Sequence, residues 1–531
     1  MIQDNLLLIL TLLFVICMLT MLSDRLRIPY PIFLVIGGLL FSLVPGIPAI
    51  SLHPDVVFLI FLPPLLYAAA WNTSWNDFWK MRRPISLLSF GLVIFTSAAV
   101  ALVSHAIIPG FSLAMGFLLG GIISPPDAVA ATSVLQGMKI PKRVITILEG
   151  ESLVNDASSL IVFRFALAAI ITGQFNLFGA AKTFFAVAFM GILIGLAVAM
   201  IVFFIHRRFP TTASIDAAIS IIAPYIMYVA AEHFHYSGVL SVVSGGLFLT
   251  YRSQDFLSYE SRLQLNGLWD TLVFLLNGFV FILIGLQLTT IIEGLGDYSV
   301  GEAIGYAIVI SLLTIIIRII WVFPNAYIPR MLFKSIRDTE PKPTWQAVLM
   351  VAWSGMRGVV SLASALAIPL TLTSGESFPH RNLILFITFV VILFTLVLQG
   401  LSLKPLIRVL KVEVNRESEK VQELSLRVHL AEAVLAYLDT NYQEQIQGNE
   451  TYKRVRDRYE RMIEVSKKRL EKEEVEEEGA AFLPQYRKML VELVEVRRRE
   501  LNRFRHANEF NEELLREREW ELDLEEARLR N

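Results

Sequence analysis

Residues 149–156, EGESLVND, place Glu149, Glu151, Ser152, Asn155 and Asp156 inside an apolar stretch that runs from 146 to 172. Glu151 and Asp156, with the Asn155 amide and the Ser152 hydroxyl, can coordinate a small cation or carry a proton. Ser152 and Asp156 stand four apart, as do Glu151 and Asn155, so adjoining stripes of one helix turn these groups to one side. An ionised side chain at the centre of a bilayer costs about 2.5–3.5 kcal/mol on insertion scales, which makes an acid at that depth part of an ion or proton path by default. A desolvated carboxylate at that depth needs a positive partner, a proton or a small cation. The plainer alternative, a structural acid satisfied by hydrogen bonds, loses weight because two neighbouring segments are built to break.

Those segments are the fifth and twelfth apolar runs. The fifth reads GGIISPPDAVAATS, with Pro125, Pro126 and Asp127 at mid-depth; the twelfth reads VAWSGMRGVVSLASA, with Gly355, Arg357 and Gly358 at mid-depth. Proline removes a backbone donor and glycine weakens a helix interior, so each run is expected to become two half-helices joined by extended chain. Irregular backbone survives at that depth only where protein or a wet cavity satisfies it. Half-helix ends carry partial charges of about half an electron. Asp127 suits the positive N-terminal ends, Arg357 the negative C-terminal ends, and freed carbonyls near Ser124–Pro126 suit a cation.

The elements that must hold these residues are membrane helices. Of 531 residues, 55% are apolar and 18% charged, against roughly 25% charged in soluble domains, and mean hydropathy is +0.57. Thirteen runs are long enough to span about 30 Å of hydrocarbon: 5–22, 30–46, 54–71, 84–108, 112–134, 146–172, 180–205, 214–231, 236–251, 268–289, 303–328, 345–370 and 382–403. The first follows Asp4 rather than a basic segment and is read as retained, not as a cleaved signal. Alternate loops carry sixteen Lys and Arg against two, Lys182 and Arg381, in the other set. The rich set marks the cytoplasm, which leaves the N-terminus outside and the C-terminal tail within. Arg164, Arg318 and Arg357 lie inside spans, the first two expected to pair with carbonyls or with acids such as Asp216 or Asp270. Interrupted spans at matching places in two halves point to inverted repeats around a midplane site. The expected fold is therefore an all-α polytopic membrane protein of about thirteen transmembrane helices, with two inverted six-helix repeats and crossed discontinuous helices five and twelve.

EGESLVND, SPPDAVAA, SGMRGVVSLASAL and the tenth-span run FLLNGFVFILIGLQL together resemble the monovalent cation/proton antiporters of the sodium/proton exchanger type, especially bacterial members, over residues 5–410. The resemblance implies that Asp156 exchanges cation for proton as the Na+ ligand, with Asn155 and Ser152 beside it and with Asp127 and Pro126 at the discontinuous helix. It also implies a buried ion pair between Glu151 and Arg357, and an electroneutral exchange of Na+, or Li+ or K+, for H+. One departure is plain. Where many relatives carry an acid after the third-span Pro-Pro, this chain has PPLLYAAAW, with Ala68 and Ala69.

Other classes have less behind them. Gly294-Leu295-Gly296-Asp297 spells the GxGD of intramembrane aspartyl proteases, but in a polar loop, and no GxSxG or His-Glu-x-x-His motif occurs. A passive cation channel is separable by measurement: it carries current without moving protons. No enzyme chemistry and no cofactor are expected. The net charge of −1 gives no hint of nucleic acid, and Cys17 alone excludes an intrachain disulfide. His233 and His235 read as a solvated turn rather than a metal site.

The chain divides at about residue 410. Residues 404–531 hold 26 of the 47 Lys and Arg and 29 of the 48 Asp and Glu. Leu424, Val428, Ala431, Val434, Leu435 and Leu438 recur at helical spacing, an acidic run occupies 471–479, and a further helix is expected from about 485 to 530. Residues 1–410 form the transmembrane antiporter domain in this reading, and 411–531 a charged helical tail for regulation or dimerisation. The partners are a monovalent cation, the proton, membrane lipid and a second copy of the chain, within the cell membrane.

Overall fold

Apolar runs bounded by Ser, Thr, Pro and Gly become helices throughout the first part of the chain, because within hydrocarbon only internal hydrogen bonds satisfy the backbone. The computed structural model describes all residues except 1, 27, 44–58, 136–137, 139, 174–176, 297, 341, 373–374, 411–415, 472–476, 508–511 and 531. The start of the third expected span, Asp297 and part of the acidic tail run therefore lie outside the described residues. The chain divides into two compact units, Met1–Val414 and Asn415–Asn531.

The first unit runs α1 (Ile2–Leu26), α2 (Tyr30–Ser42), α3 (Leu62–Asn72), α4 (Val93–Ile107), α5 (Leu113–Ile123), α6 (Ala128–Leu135), α7 (Lys142–Thr172), α8 (Leu177–Arg208), α9 (Ala213–His233), α10 (Gly238–Phe256), α11 (Tyr259–Leu286), α12 (Val300–Leu332), α13 (Trp345–Trp353), α14 (Val359–Leu366) and α15 (Arg381–Leu410). Every one of the thirteen apolar runs contains helix. Nine helical stretches among the described residues are long and apolar enough to cross a membrane. Both anticipated interruptions are present: α5 and α6 are the halves of the fifth span, α13 and α14 those of the twelfth.

Helix ends follow local chemistry. Ser112, Thr212, Ser237, Ser258 and Thr344 each accept a hydrogen bond from the amide three residues on, and Ser299 forms a capping box with Glu302, each satisfying amides that a helix start leaves open. The fourth span opens differently. A short helix, Arg82–Ser86, passes through a π-helical stretch, Leu87–Leu92, before α4. The carbonyls displaced there are taken up from neighbouring helices: Trp321 Nε1 donates to Leu87 O at 3.0 Å, and the Ser158 hydroxyl donates to Ser89 O. Such bulges collect at functional sites, and this one packs directly on α7.

Apolar packing forms two clusters. One gathers residues such as Leu118, Ile147, Leu148, Phe163, Ile317 and Ile387; the other gathers Leu66, Leu153, Ala157, Ala199, Met227 and Val243. Helix α7 belongs to both. Leu153 and Ala157 lie one turn apart on the face that meets the second cluster, and Asp156 stands beside them at the seam. Large side chains such as Phe185, Phe189 and Phe14 point outward, 71%, 61% and 64% exposed, as side chains surrounded by lipid do.

The second unit is helical too: α16 (Arg416–Asn441), α17 (Glu450–Glu471), α18 (Glu477–Ala507) and α19 (Glu512–Arg530). Lys467 to Glu432 at 2.7 Å and Arg456 to Asp439 at 3.0 Å align α16 and α17 antiparallel; Arg497 to Glu525 and Arg498 to Asp523, at 2.7 and 2.5 Å, do the same for α18 and α19. Val428 and Ala431 of the anticipated stripe are buried. The single helix expected from about 485 to 530 is instead two, Glu477–Ala507 and Glu512–Arg530, paired antiparallel.

Candidate functional site

The two breaks meet. The Asp127 amide donates to the Met356 carbonyl at 2.7 Å, so the extended links of the fifth and twelfth spans satisfy one another. Each half-helix end then receives a side chain of the sign its dipole asks for. At the N-terminal ends, Asp127 Oδ1 accepts from the Val129 amide at 2.8 Å, and the Ala130 and Val359 amides also face this carboxylate. At the C-terminal ends, Arg357 Nε donates to Ile123 O at 3.0 Å and Nη1 donates to Gly355 O. The Arg357 amide is held by Thr395 Oγ1 at 3.2 Å. Gly358 makes this approach possible, since a β-carbon there would overlap Oδ2 of Asp127.

Helix α7 locks onto the break through its polar stripe. Ser152 Oγ accepts from the Ala128 amide at 3.3 Å, and Asn155 Nδ2 donates to Pro126 O at 3.1 Å. Asn155 is fully buried, and its Oδ1 has no hydrogen-bond partner among the described residues. Asp156 is 7% exposed. Its carboxylate receives no hydrogen bond among the described residues and lines, with Asp127, Ser152, Pro125 and Pro126, a cavity of about 70 Å³. About 10–15 Å³ of such space holds one water, so a cation with part of its hydration fits. The sequence-derived residues Asp156, Asp127, Ser152 and Pro126 thus share one cavity, with Asn155 and Glu151 packed behind its wall.

The ion pair expected between Glu151 and Arg357 does not form. Glu151 is gripped by Arg318 of α12, Nη1 to Oε1 at 2.5 Å and Nη2 to Oε2 at 2.8 Å, with both side chains 1% exposed. Arg318 also donates to Val351 O from Nε and Nη2, at 3.3 and 3.1 Å. The physical reason is competition for donors. Arg357 stands in the broken segment, where carbonyls at two helix ends lack partners and draw its guanidinium; Arg318 stands on an intact helix and keeps its planar fork for the carboxylate. Depth alone could not tell the two arginines apart.

Other pairings also differ from expectation. Arg164 binds Glu232, at 2.9 and 2.7 Å to its two oxygens, rather than Asp216 or Asp270. Asp216 lies 3.3 Å from His206 Nε2, both side chains 3% exposed, and Asp270 is exposed. His233 and His235 are exposed at a turn, with His235 at φ 61°. Two cavity residues escaped sequence reading. Asn277 and Ser361 line the same wall as Asp156, and Asn277 Nδ2 and Ser361 Oγ are buried without partners among the described residues. The signal was available for Asn277, an amide inside the apolar run FLLNGFVF. Across the cavity, α3 offers Leu62, Leu65, Leu66 and Ala69, so the side that lacks a third-span acid is an apolar wall.

Comparison with known proteins places this arrangement. The profile of the family described as "Sodium/hydrogen exchanger, transmembrane" matches residues 9–409. A Bacillus pumilus protein named "Sodium, potassium, lithium and rubidium/H(+) antiporter" is 34% identical over 385 residues, covering 71% of this chain and 57% of that protein. The Bacillus subtilis protein of the same name is 35% identical, covering 70% and 56%; the chain thus spans just over half the length of these relatives. Among solved structures, the sodium proton antiporter MjNhaP1 from Methanocaldococcus jannaschii at pH 8 shares the fold, with a TM-score of 0.58 at 18% identity, covering 75% of this chain and 99% of that one. The chain belongs to the sodium/hydrogen exchanger family.

Proposed function

We propose that the protein is a secondary transporter that exchanges Na+, and also Li+ or K+, for H+ by competition at Asp156. The observation that carries this reading is a buried carboxylate with no hydrogen-bond donor among the described residues, facing a largely apolar cavity at the meeting point of two broken helices. A desolvated carboxylate without donors needs a positive partner. Asp127, held by backbone amides, serves as a fixed negative neighbour rather than as the exchanging group.

Charge counting supports one-for-one exchange. Asp127, Asp156 and Glu151 against Arg318 and Arg357 leave a net −1 when all are ionised, and a single monovalent cation or a single proton brings the set to zero. Either loaded form then crosses with the same charge, which is the condition for electroneutral transport. The position of Asp156 at the seam of two apolar clusters suits alternating access, in which one cluster shifts against the other and opens the cavity to one side at a time. The apolar α3 wall favours breadth over selectivity, and the names of the Bacillus relatives, which include four alkali cations, favour it as well.

Membership in the exchanger family favours a transporter over an intramembrane protease. The remaining parts of the reading are topology and assembly: N-terminus outside, the Lys- and Arg-rich face and the tail in the cytoplasm, residence in the cell membrane, and a homodimer regulated through residues 411–531. The deciding experiment is reconstitution in vesicles with an internal pH probe and paired current recording. Sodium-driven internal pH change with little current is expected; sodium current without proton movement would make the protein a channel.

A further inference from the structure

Two arginines converge on the Glu340 carboxylate, and a third on its backbone carbonyl, at the Lys- and Arg-rich end of the first unit. Arg83 grips Glu340 with Nε 3.0 Å from Oε1 and Nη2 2.8 Å from Oε2. Arg143, at the start of α7, brings Nη2 to 3.7 Å from the same Oε2. Arg330, near the end of α12, donates to the Glu340 carbonyl at 2.5 Å and to the Arg337 carbonyl at 3.5 Å. The side chains of Arg83, Arg143 and Glu340 are largely withdrawn from solvent, 23%, 25% and 18% exposed. Three guanidinium groups thus crowd around one acidic residue, two of them on its carboxylate. Arg83 Nη1 is buried without a hydrogen-bond partner among the described residues. A guanidinium fork matches the oxygens of a phosphate group.

Neighbouring residues fix the depth. Met331, Leu332 and Phe333 directly follow Arg330 and are 79%, 71% and 59% exposed, three consecutive apolar side chains at the end of a span. Trp79 is 52% exposed, with the Arg82 guanidinium 4.9 Å above its ring. Exposed tryptophan, bare apolar side chains and arginines side by side mark the level where acyl chains give way to headgroups. A phosphate met at that level belongs to a lipid.

We propose that Arg83, Arg143 and Arg330 form a binding site for the phosphate of an anionic phospholipid, on the face proposed as cytoplasmic, with Glu340 as an internal competitor for the same donors. The site joins the opening of the fourth span to α7 and α12, the helices that carry Asp156 and Arg318. Bound lipid therefore braces the frame behind the ion cavity.

The test uses the full chain in vesicles of phosphatidylcholine, with or without phosphatidylglycerol, and reads the thermal unfolding midpoint. Phosphatidylglycerol is expected to raise the midpoint of the unmodified protein. Arg143→Gln and Arg83→Gln should lose most of that rise, whereas the distant double change Arg207→Gln with Arg208→Gln should keep it. Glu340→Gln should enlarge the rise, an opposite sign that no general loss of folding imitates, so it decides the matter even if an arginine variant folds poorly. Equal loss in the Arg207 and Arg208 control would overturn the site in favour of diffuse surface charge. A Glu340→Gln rise no larger than that of the unmodified protein would overturn the competition. If inorganic phosphate in phosphatidylcholine vesicles reproduces the whole effect, the ligand is soluble phosphate and the lipid assignment fails.

Discussion

Arg318 holds Glu151 in a two-pronged pair, at 2.5 and 2.8 Å, and both side chains are 1% exposed. The pair crosses from α12 to α7 directly behind the cavity lined by Asp156, and Ser89 Oγ donates a hydrogen bond to the Glu151 carbonyl at 3.1 Å. Removing one member of a buried pair strands the other charge at a cost of about 3–5 kcal/mol, whereas replacing both by apolar residues is often neutral. Glu151→Gln and Arg318→Met should each lose most folded protein in detergent, and Glu151→Leu with Arg318→Met should recover yield and unfolding temperature. Single variants that unfold at the temperature of the unmodified protein would remove the pair from its structural role.

Asp156→Asn keeps size and removes the titrating group. Sodium-driven proton movement should fall to the level of protein-free vesicles, while folded yield stays normal, because no hydrogen bond to this carboxylate among the described residues is lost. Surviving exchange would transfer the role away from Asp156.

Gly358 is the tightest point of the crossing. Gly358→Ala forces Asp127 or the α14 backbone to move, and overpacking of this kind costs about 1–3 kcal/mol. Transport should drop along with unfolding temperature. Gly267→Ala, where a β-carbon meets no atom within 4 Å, should change neither; equal effects from the two would show that glycine at 358 has no special part.

Ala69→Glu places an acid on the apolar wall facing Asp156. One added charge at about 6 Å and an effective dielectric near 20 is worth on the order of 2–3 kcal/mol before desolvation is subtracted. The apparent KM for Na+ should fall by roughly fivefold, about 1 kcal/mol net. Transport should still carry little current, because the added charge shifts the sodium-loaded and proton-loaded forms equally. An unchanged KM with normal expression would place Ala69 away from the ion.

Asn277→Ala tests the residue that sequence reading overlooked. Its amide lines the cavity wall and is 1% exposed. KM for Na+ should rise several-fold with little change in folded yield, read from concentration series in the same vesicles; a loss of stability without a KM change would assign Asn277 to packing.

Much of this molecule was legible in its residues. Thirteen apolar runs, the Pro-Pro and Gly-Met-Arg-Gly interruptions, and the polar stripe of EGESLVND place helices, breaks and acids correctly, because in hydrocarbon each segment must satisfy its own backbone and any polar residue at depth must have a reason. Sequence also gave each break the sign of its partner, an acid for N-terminal ends and an arginine for C-terminal ends. Which arginine meets Glu151 was settled only in three dimensions, since Arg318 and Arg357 share type and depth and differ in whether the local helix leaves carbonyls open. Asn277, Ser361 and the Arg164–Glu232 pair belong to the same class. Their meaning rests on which helix faces lie against one another, and a linear pattern fixes a helix's stripe but not its neighbour.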